Sequence, residues 1–321
     1  MKKILFVLCL GLVVGCDLYG QIREEVVKRF EHGGKELVVT YNGVGNNEEV
    51  IKRVYYYSSG QIKNEENYKD GKEDGLSRYW HENGQLKKEY IMKYGILHGW
   101  KEWYKNGQLK DDCIMKDGLC REWYENGQIK EELNKKDGLY QGLWKVWYEN
   151  GQLKSETNYK DDKTNGLSRS WHENGQISFE GNMKDGKNIG LRRSWYKNGQ
   201  LRFEENYVFS NGDSTRFTER EGLQRSWHDN GQLEKEYNKK DGYFVGFYRT
   251  WYENGQLEYE RYDDDDGNTV GLKRSWYKNG QLTREANYKD DRLISEKCWD
   301  EYGDECECFA GKCRKDYGTG Y

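Results

Sequence analysis

The chain has 321 residues, 35% hydrophobic and 34% charged, with a mean hydropathy of -1.17 and a formal net charge of -4. That balance is too polar for a thick globular core and gives no general attraction for nucleic acid or anionic lipid. The 12 Trp and 27 Tyr exclude an aromatic-poor disordered chain, and the absence of Pro suits an uninterrupted ladder of strands.

In chain order, residues 1–15 come first: Lys2 and Lys3, an apolar run, then small residues ahead of Cys16. This is the arrangement of a secretory signal peptide. The run is too short to span a bilayer comfortably. Val13-Val14-Gly15-Cys16 resembles the lipobox of bacterial lipoproteins. The resemblance implies that Cys16 is acylated, by palmitate or a similar chain, and becomes the first residue of the mature protein. The chain would then be lipid-anchored on the extracytoplasmic side of a membrane of the bacterial cell envelope. Residues 16–22 form the lipidated linker, and 23–50 an N-terminal β cap.

From 51 to 295 the chain repeats. Trp-(Tyr or His)-x-Asn-Gly-Gln-(Leu or Ile) occurs nine times after a degenerate copy at Tyr56–Ile62, and the turn glycines run from Gly60 to Gly280, most often 24 residues apart. A fixed period of this length signifies a quasi-one-dimensional array. Asn-Gly between alternating segments predicts a hairpin with a two-residue type I′ turn. In that register Arg78 faces Glu89, and the same arithmetic sets a base opposite an acid in all nine copies, down to Arg274 and Glu285. The degenerate copy sets Val54 opposite Glu65.

The two-residue turn also places the Tyr or His before each turn opposite the Leu or Ile after it, as His81 with Leu86. Trp80, Trp103, Trp123, Trp147, Trp171, Trp195, Trp227, Trp251 and Trp276 hold one slot and form a candidate binding column. Their rings are expected to be covered by the stems of Lys87, Lys110, Lys130, Lys154 and Arg202. Recurrent Lys-Asp-Gly segments and a second glycine, such as Gly75 or Gly142, mark another turn between hairpins. The expected fold is all-β: an elongated antiparallel β-meander of about ten hairpins and about 20 strands in a single twisted sheet.

The hairpin unit, with its aromatic-x-Asn-Gly-Gln-Leu turn and Asn-Tyr-Lys-Asp-Gly segment, resembles the MORN-repeat variant over residues 51–295. Proteins built from it are often named after the YwqK antitoxin family. The resemblance implies a repeat-array fold and, for function, an immunity partner of a secreted toxin. The export signal departs from a cytoplasmic antitoxin.

No Gly-x-Ser-x-Gly, His-Glu-x-x-His or P-loop sequence occurs, so no catalytic residue is assigned and no cofactor or metal is expected. His81, His172 and His228 occupy Tyr slots of separated repeats and read as packing residues. Asp263–Asn268 has the oxygen density of a Ca²⁺ loop but no properly spaced Glu, and reads as a solvated acidic turn. The long step between Gly199 and Gly231 predicts a protruding hairpin around Phe209–Asp213. Beyond Cys9 and Cys16 six cysteines remain. Cys113 and Cys120 are close enough for a cross-strand disulfide. Cys298, Cys306, Cys308 and Cys313, in the tail 296–321, allow three connectivities and are expected as two disulfides rather than a zinc site. Together these features predict a membrane-anchored, non-enzymatic protein-binding or scaffold module for a protein partner or surface polymer, not nucleic acid. The alternatives are an extracytoplasmic immunity protein and a carbohydrate-binding surface protein.

Overall fold

The computed structural model describes residues 21–209 and 218–314. It is all-β and antiparallel, with 28 strands, one 3-10 turn at Gly45–Asn47 and no α-helix among the described residues. The chain divides into two compact units, one ending at Gly151 and one starting at Gln152. In each, consecutive strands pair as a meander. The proposed lipid site Cys16 and the insertion tip at 210–217 lie outside the described residues. The strands flanking that tip pair Phe209 with Thr218.

The Asn-Gly turns are not the two-residue type expected. The Gly84 N–H donates to the His81 carbonyl at 2.9 Å and the His81 N–H to the Gln85 carbonyl at 2.8 Å. Gly84 has φ of +86°, whereas the turn asparagines stay outside the left-handed region. This is a type I turn closed by a left-handed glycine, the three-residue hairpin loop. The asparagine explains the preference: Asn83 Oδ1 accepts the Gln85 N–H at 3.0 Å, a side-chain turn of its own. True two-residue I′ turns stand at the other ends of the strands. There Asp70-Gly71, Asp137-Gly138, Asp185-Gly186 and Asp241-Gly242 have positive φ at both positions.

The three-residue loop offsets the register by one, and a β-bulge takes the offset back. Trp80 pairs with Leu86, Lys87 is the extra residue, and Tyr79 pairs with Lys88. Arg78 therefore still faces Glu89, as the summed numbering requires. Eight of the nine charge pairs lie within one unit, and all eight are register partners with N–O distances of 2.6 to 3.3 Å. Val54 faces Glu65 in the degenerate copy. Each such pair contributes about 0.2–1 kcal/mol and, with every neighbour in step, disfavours a slipped register.

Strands outnumber the expected 20 partly because three are broken in two, before Gly75, Gly142 and Gly222, whereas the strands holding the equivalent Gly166, Gly190 and Gly246, also of positive φ, run through unbroken. The array also extends past both expected ends. The Phe30–Gly34 loop and the Asp300–Asp304 loop repeat the same turn hydrogen bonds around left-handed Gly33 and Gly303. Cys113 and Cys120 are register partners and are joined. In the tail the connectivity is Cys298–Cys308 and Cys306–Cys313.

Candidate binding face

Neighbouring hairpins are joined by side chains from the turn motif. The Tyr124 hydroxyl donates to the Trp147 carbonyl at 2.8 Å, Tyr196 to Trp227 at 2.9 Å and Tyr252 to Trp276 at 2.8 Å. His172 and His228 sit in the same slot and place Nε2 2.9 and 2.8 Å from the carbonyls of Trp195 and Trp251. They act as tyrosine substitutes, as their positions in the sequence predict. His81 Nε2 is buried without a hydrogen-bond partner. The Asn side-chain amides add a second link, from Asn126 to the Glu149 carbonyl at 3.0 Å and from Asn254 to that of Lys278 at 2.8 Å.

The nine slot tryptophans are all half-buried. In the eight hairpins that lie within one unit, the cross-strand neighbour is the Leu or Ile after the turn, as in Trp123 with Ile129 and Trp251 with Leu257. The bulge moves the basic residue away from the indole. Lys130 Nζ lies 6.0 Å from the Tyr124 ring centre and the Arg202 guanidinium 5.7 Å from that of Tyr196, so the cations cover the tyrosine slot instead. His81 accordingly does not face Leu86, because the bulge gives that place to Trp80.

The position before each slot Trp points to the opposite face, and register carries it from strand to strand as one row. In the first unit the row runs Tyr55, Asn64, Tyr79, Lys88, Glu102, Asp111, Glu122, Glu131, Val146. Four carboxylates stand abreast, which is unfavourable for like charges. Lys88 and Lys110 bind Glu102 at 3.0 and 3.1 Å, and Lys130 binds Glu122 at 2.7 Å. Burial works to raise Glu102, but these two lysines outweigh it and hold the carboxyl below its usual range. Asp111 is pushed up by burial and then by Glu122 and Glu102, and Glu131 by burial and Glu122. The Cys113–Cys120 bridge lies beside them, packed with Leu133, Trp100, Tyr140 and Trp144.

In the second unit the same row carries hydroxyls alternating with rings and cations. Ser170, Phe179, Ser194, Phe203 and Ser226 follow one another, and then Lys235, Thr250, Tyr259, Ser275 and Arg284. Arg192 lies 5.3 and 5.0 Å from the Phe179 and Phe203 ring centres, Arg261 5.0 Å from that of Tyr248, and Lys273 5.5 Å from that of Tyr259. An open groove of about 690 Å³ runs along this face between Phe244 and Tyr277, with Tyr259 in its lining. The sequence pattern singled out Trp and missed this row. Its signal was the Ser or Thr before each slot Trp from Trp171 to Trp276.

The acidic turn uses its own carboxylates. Buried Asp263 binds Arg261 at 2.9 Å and accepts from Thr269 at 2.9 Å. Asp264 Oδ1 accepts the N–H groups of Asn268 and Asp266 at 2.9 and 3.0 Å, and the Asn268 bond foremost lowers its pKa. The one cluster of metal-ligand type among the described residues, Glu296 with Cys298 and Cys308, has both sulfurs in a disulfide.

Nine segments match the MORN repeat variant: residues 50–70, 73–94, 116–137, 140–161, 164–185, 189–208, 220–241, 245–262 and 269–290, more than half of the chain. The chain belongs to the MORN repeat variant family. MORN repeats are commonly protein- or lipid-binding modules. No curated protein matches. Among solved structures, the chain is similar to one titled "Crystal Structure of TcdB2-TccC3-Cdc42", at 10% identity over 88% of this chain and 16% of that one, with a TM-score of 0.19. A structure of the Photorhabdus luminescens Tc holotoxin pore with a TccC3 mutation is similar at 10% identity, over 84% of this chain and 18% of that one, with a TM-score of 0.20. The MORN variant chain thus spans less than a fifth of either.

Proposed function

We propose that this MORN variant protein is a non-enzymatic binding or scaffold lipoprotein, held at a membrane of the bacterial envelope through acylated Cys16. Its partner is a protein or surface polymer gripped along the aromatic rows. The observation that carries the reading is the row before the slot tryptophans. One side chain per strand, at a spacing of about 4.8 Å, builds an extended face of rings, hydroxyls and charges rather than a convergent constellation. A periodic face suits an elongated partner, as in other repeat arrays.

Crosslinking in intact membranes followed by purification of the full chain tests it. A macromolecule should be retained, and changes to several row rings or to several slot tryptophans should release it. Wild-type recovery by both sets, or no retained macromolecule, would contradict the reading. Cys16→Ser should move the chain from the membrane to the soluble fraction. The YwqK resemblance supports a narrower version, in which the partner is a toxin met outside the cytoplasm. Deleting the gene should then sensitise cells to sibling toxin, and unchanged survival counts against it.

A further inference from the structure

We propose that the groove beside Tyr259 binds a neutral carbohydrate chain. This rests on the binding-module reading and goes beyond it in naming the place and the ligand class. The groove lies on the strands Tyr243–Trp251, Leu257–Asp263, Gly271–Trp276 and Leu282–Lys289, wholly within the second unit.

Its centre is the register Thr250, Tyr259, Ser275. A small hydroxyl side chain on each side of Tyr259 leaves the groove open above the sheet. Tyr248 stands edge-on to Tyr259 with 6.0 Å between ring centres, and Tyr252 and Tyr277 complete the aromatic walls. A pyranose ring has an apolar C–H face and a polar hydroxyl edge. Aromatic planes take the first, and hydroxyls with a carboxylate acceptor take the second.

The charges decide against other ligands. Glu258 lines the groove and takes the Thr250 hydroxyl on one oxygen at 3.0 Å. Its negative charge repels an anion, and its other oxygen suits a pair of sugar hydroxyls. Arg261, the cation in the lining, is held by Asp263 at 2.9 Å. An acidic ligand in the groove therefore meets a carboxylate and an already neutralised guanidinium, while Lys273, whose ammonium is 5.5 Å from the Tyr259 ring centre, stands outside the lining. A purely apolar ligand would desolvate the second Glu258 oxygen and the Ser275 hydroxyl without replacing the lost water. A peptide added as a strand needs a free sheet edge, and this groove lies on a face.

The test is calorimetric titration of the full chain with cellohexaose, maltohexaose and laminarihexaose. At least one should bind, with an affinity changed less than about twofold between roughly 50 and 500 mM salt. Tyr259→Ala should weaken binding about tenfold, Glu258→Gln several-fold, and Tyr259→Phe should keep it, since stacking survives loss of the hydroxyl. Far-UV circular dichroism confirms that each variant is folded. Should Tyr259→Ala unfold, Glu258→Gln decides alone, and wild-type affinity there overturns the proposal. So does failure of all three saccharides, unweakened binding by folded Tyr259→Ala, or preferential binding of poly-glutamate, which would assign the groove to an acidic protein segment. If membranes still yield a crosslinked macromolecule while every saccharide fails, only the sugar site falls. Loss of both removes the binding-module reading as well.

Discussion

The triplet Asn174-Gly175-Gln176 does three jobs. The glycine supplies positive φ, the asparagine caps its own turn and reaches the next hairpin, and the glutamine lies against the next turn glycine. A Cβ added at Gly199, where φ is +86°, would sit 3.1 Å from Gln176 Oε1, whereas at Gly190, where φ is +70°, nothing lies within 4 Å. Gly199→Ala should therefore cost about 1–3 kcal/mol in urea unfolding and exceed Gly190→Ala; equal losses would show that the glutamine contact is unimportant. The turn glycine was legible in the sequence, but the turn type was not. Asn-Gly in an isolated hairpin favours I′, and what selects type I is the Asn side chain bonding within and between repeats, which a single-hairpin rule does not see.

The carboxylate row gives a second test at this scale. A carboxyl raised in the folded chain, as Asp111 and Glu131 are, contributes stability below its ordinary pKa and loses it as pH rises through the raised value. Glu102, held low, contributes above its ordinary pKa and loses that stability as pH falls through the lowered one. At neutral pH Asp111→Asn should raise the melting temperature, by about one or two degrees because the group is partly solvated. The gain should vanish below the ordinary carboxylate pKa. A gain that persists there, or a loss at neutral pH, would contradict the like-charge strain.

At the level of the hairpin, the loop and the bulge cancel. Summed numbering therefore identified the Arg–Glu partners while misassigning every residue between the bulge and the turn, including the neighbours of Trp80 and His81. Arg193 and Glu204, 2.7 Å apart, offer a clean double-mutant cycle. Coupling of about 0.2–1 kcal/mol is expected, and exchanging the two residues should recover most of it. Zero coupling would remove the pairs as register determinants. The end hairpins escaped the sequence pattern for a related reason. The loops at Gly33 and Gly303 keep the left-handed glycine but lack Asn-Gly-Gln, so only the backbone bonds reveal them.

Across the described residues, one register position changes chemistry: the first unit carries a run of four acids between Lys88 and Val146, and the second carries hydroxyls with rings and cations. Composition averages over this contrast, and the Trp motif draws attention to the neighbouring slot. Stability is expected to be uneven as well, because repeat contacts are local. Reduction of Cys113–Cys120, Cys298–Cys308 and Cys306–Cys313 should increase hydrogen exchange mainly around 100–140 and 284–314, and a uniform increase would imply one cooperative unit.

The most direct test of a binding face is hydroxyl-radical footprinting of the membrane-held chain with and without its captured partner. Protection is predicted at Phe203, Tyr248 and Tyr259 on the row face of the second unit. Protection that spares both these rings and the slot tryptophans, or none at all, would contradict it.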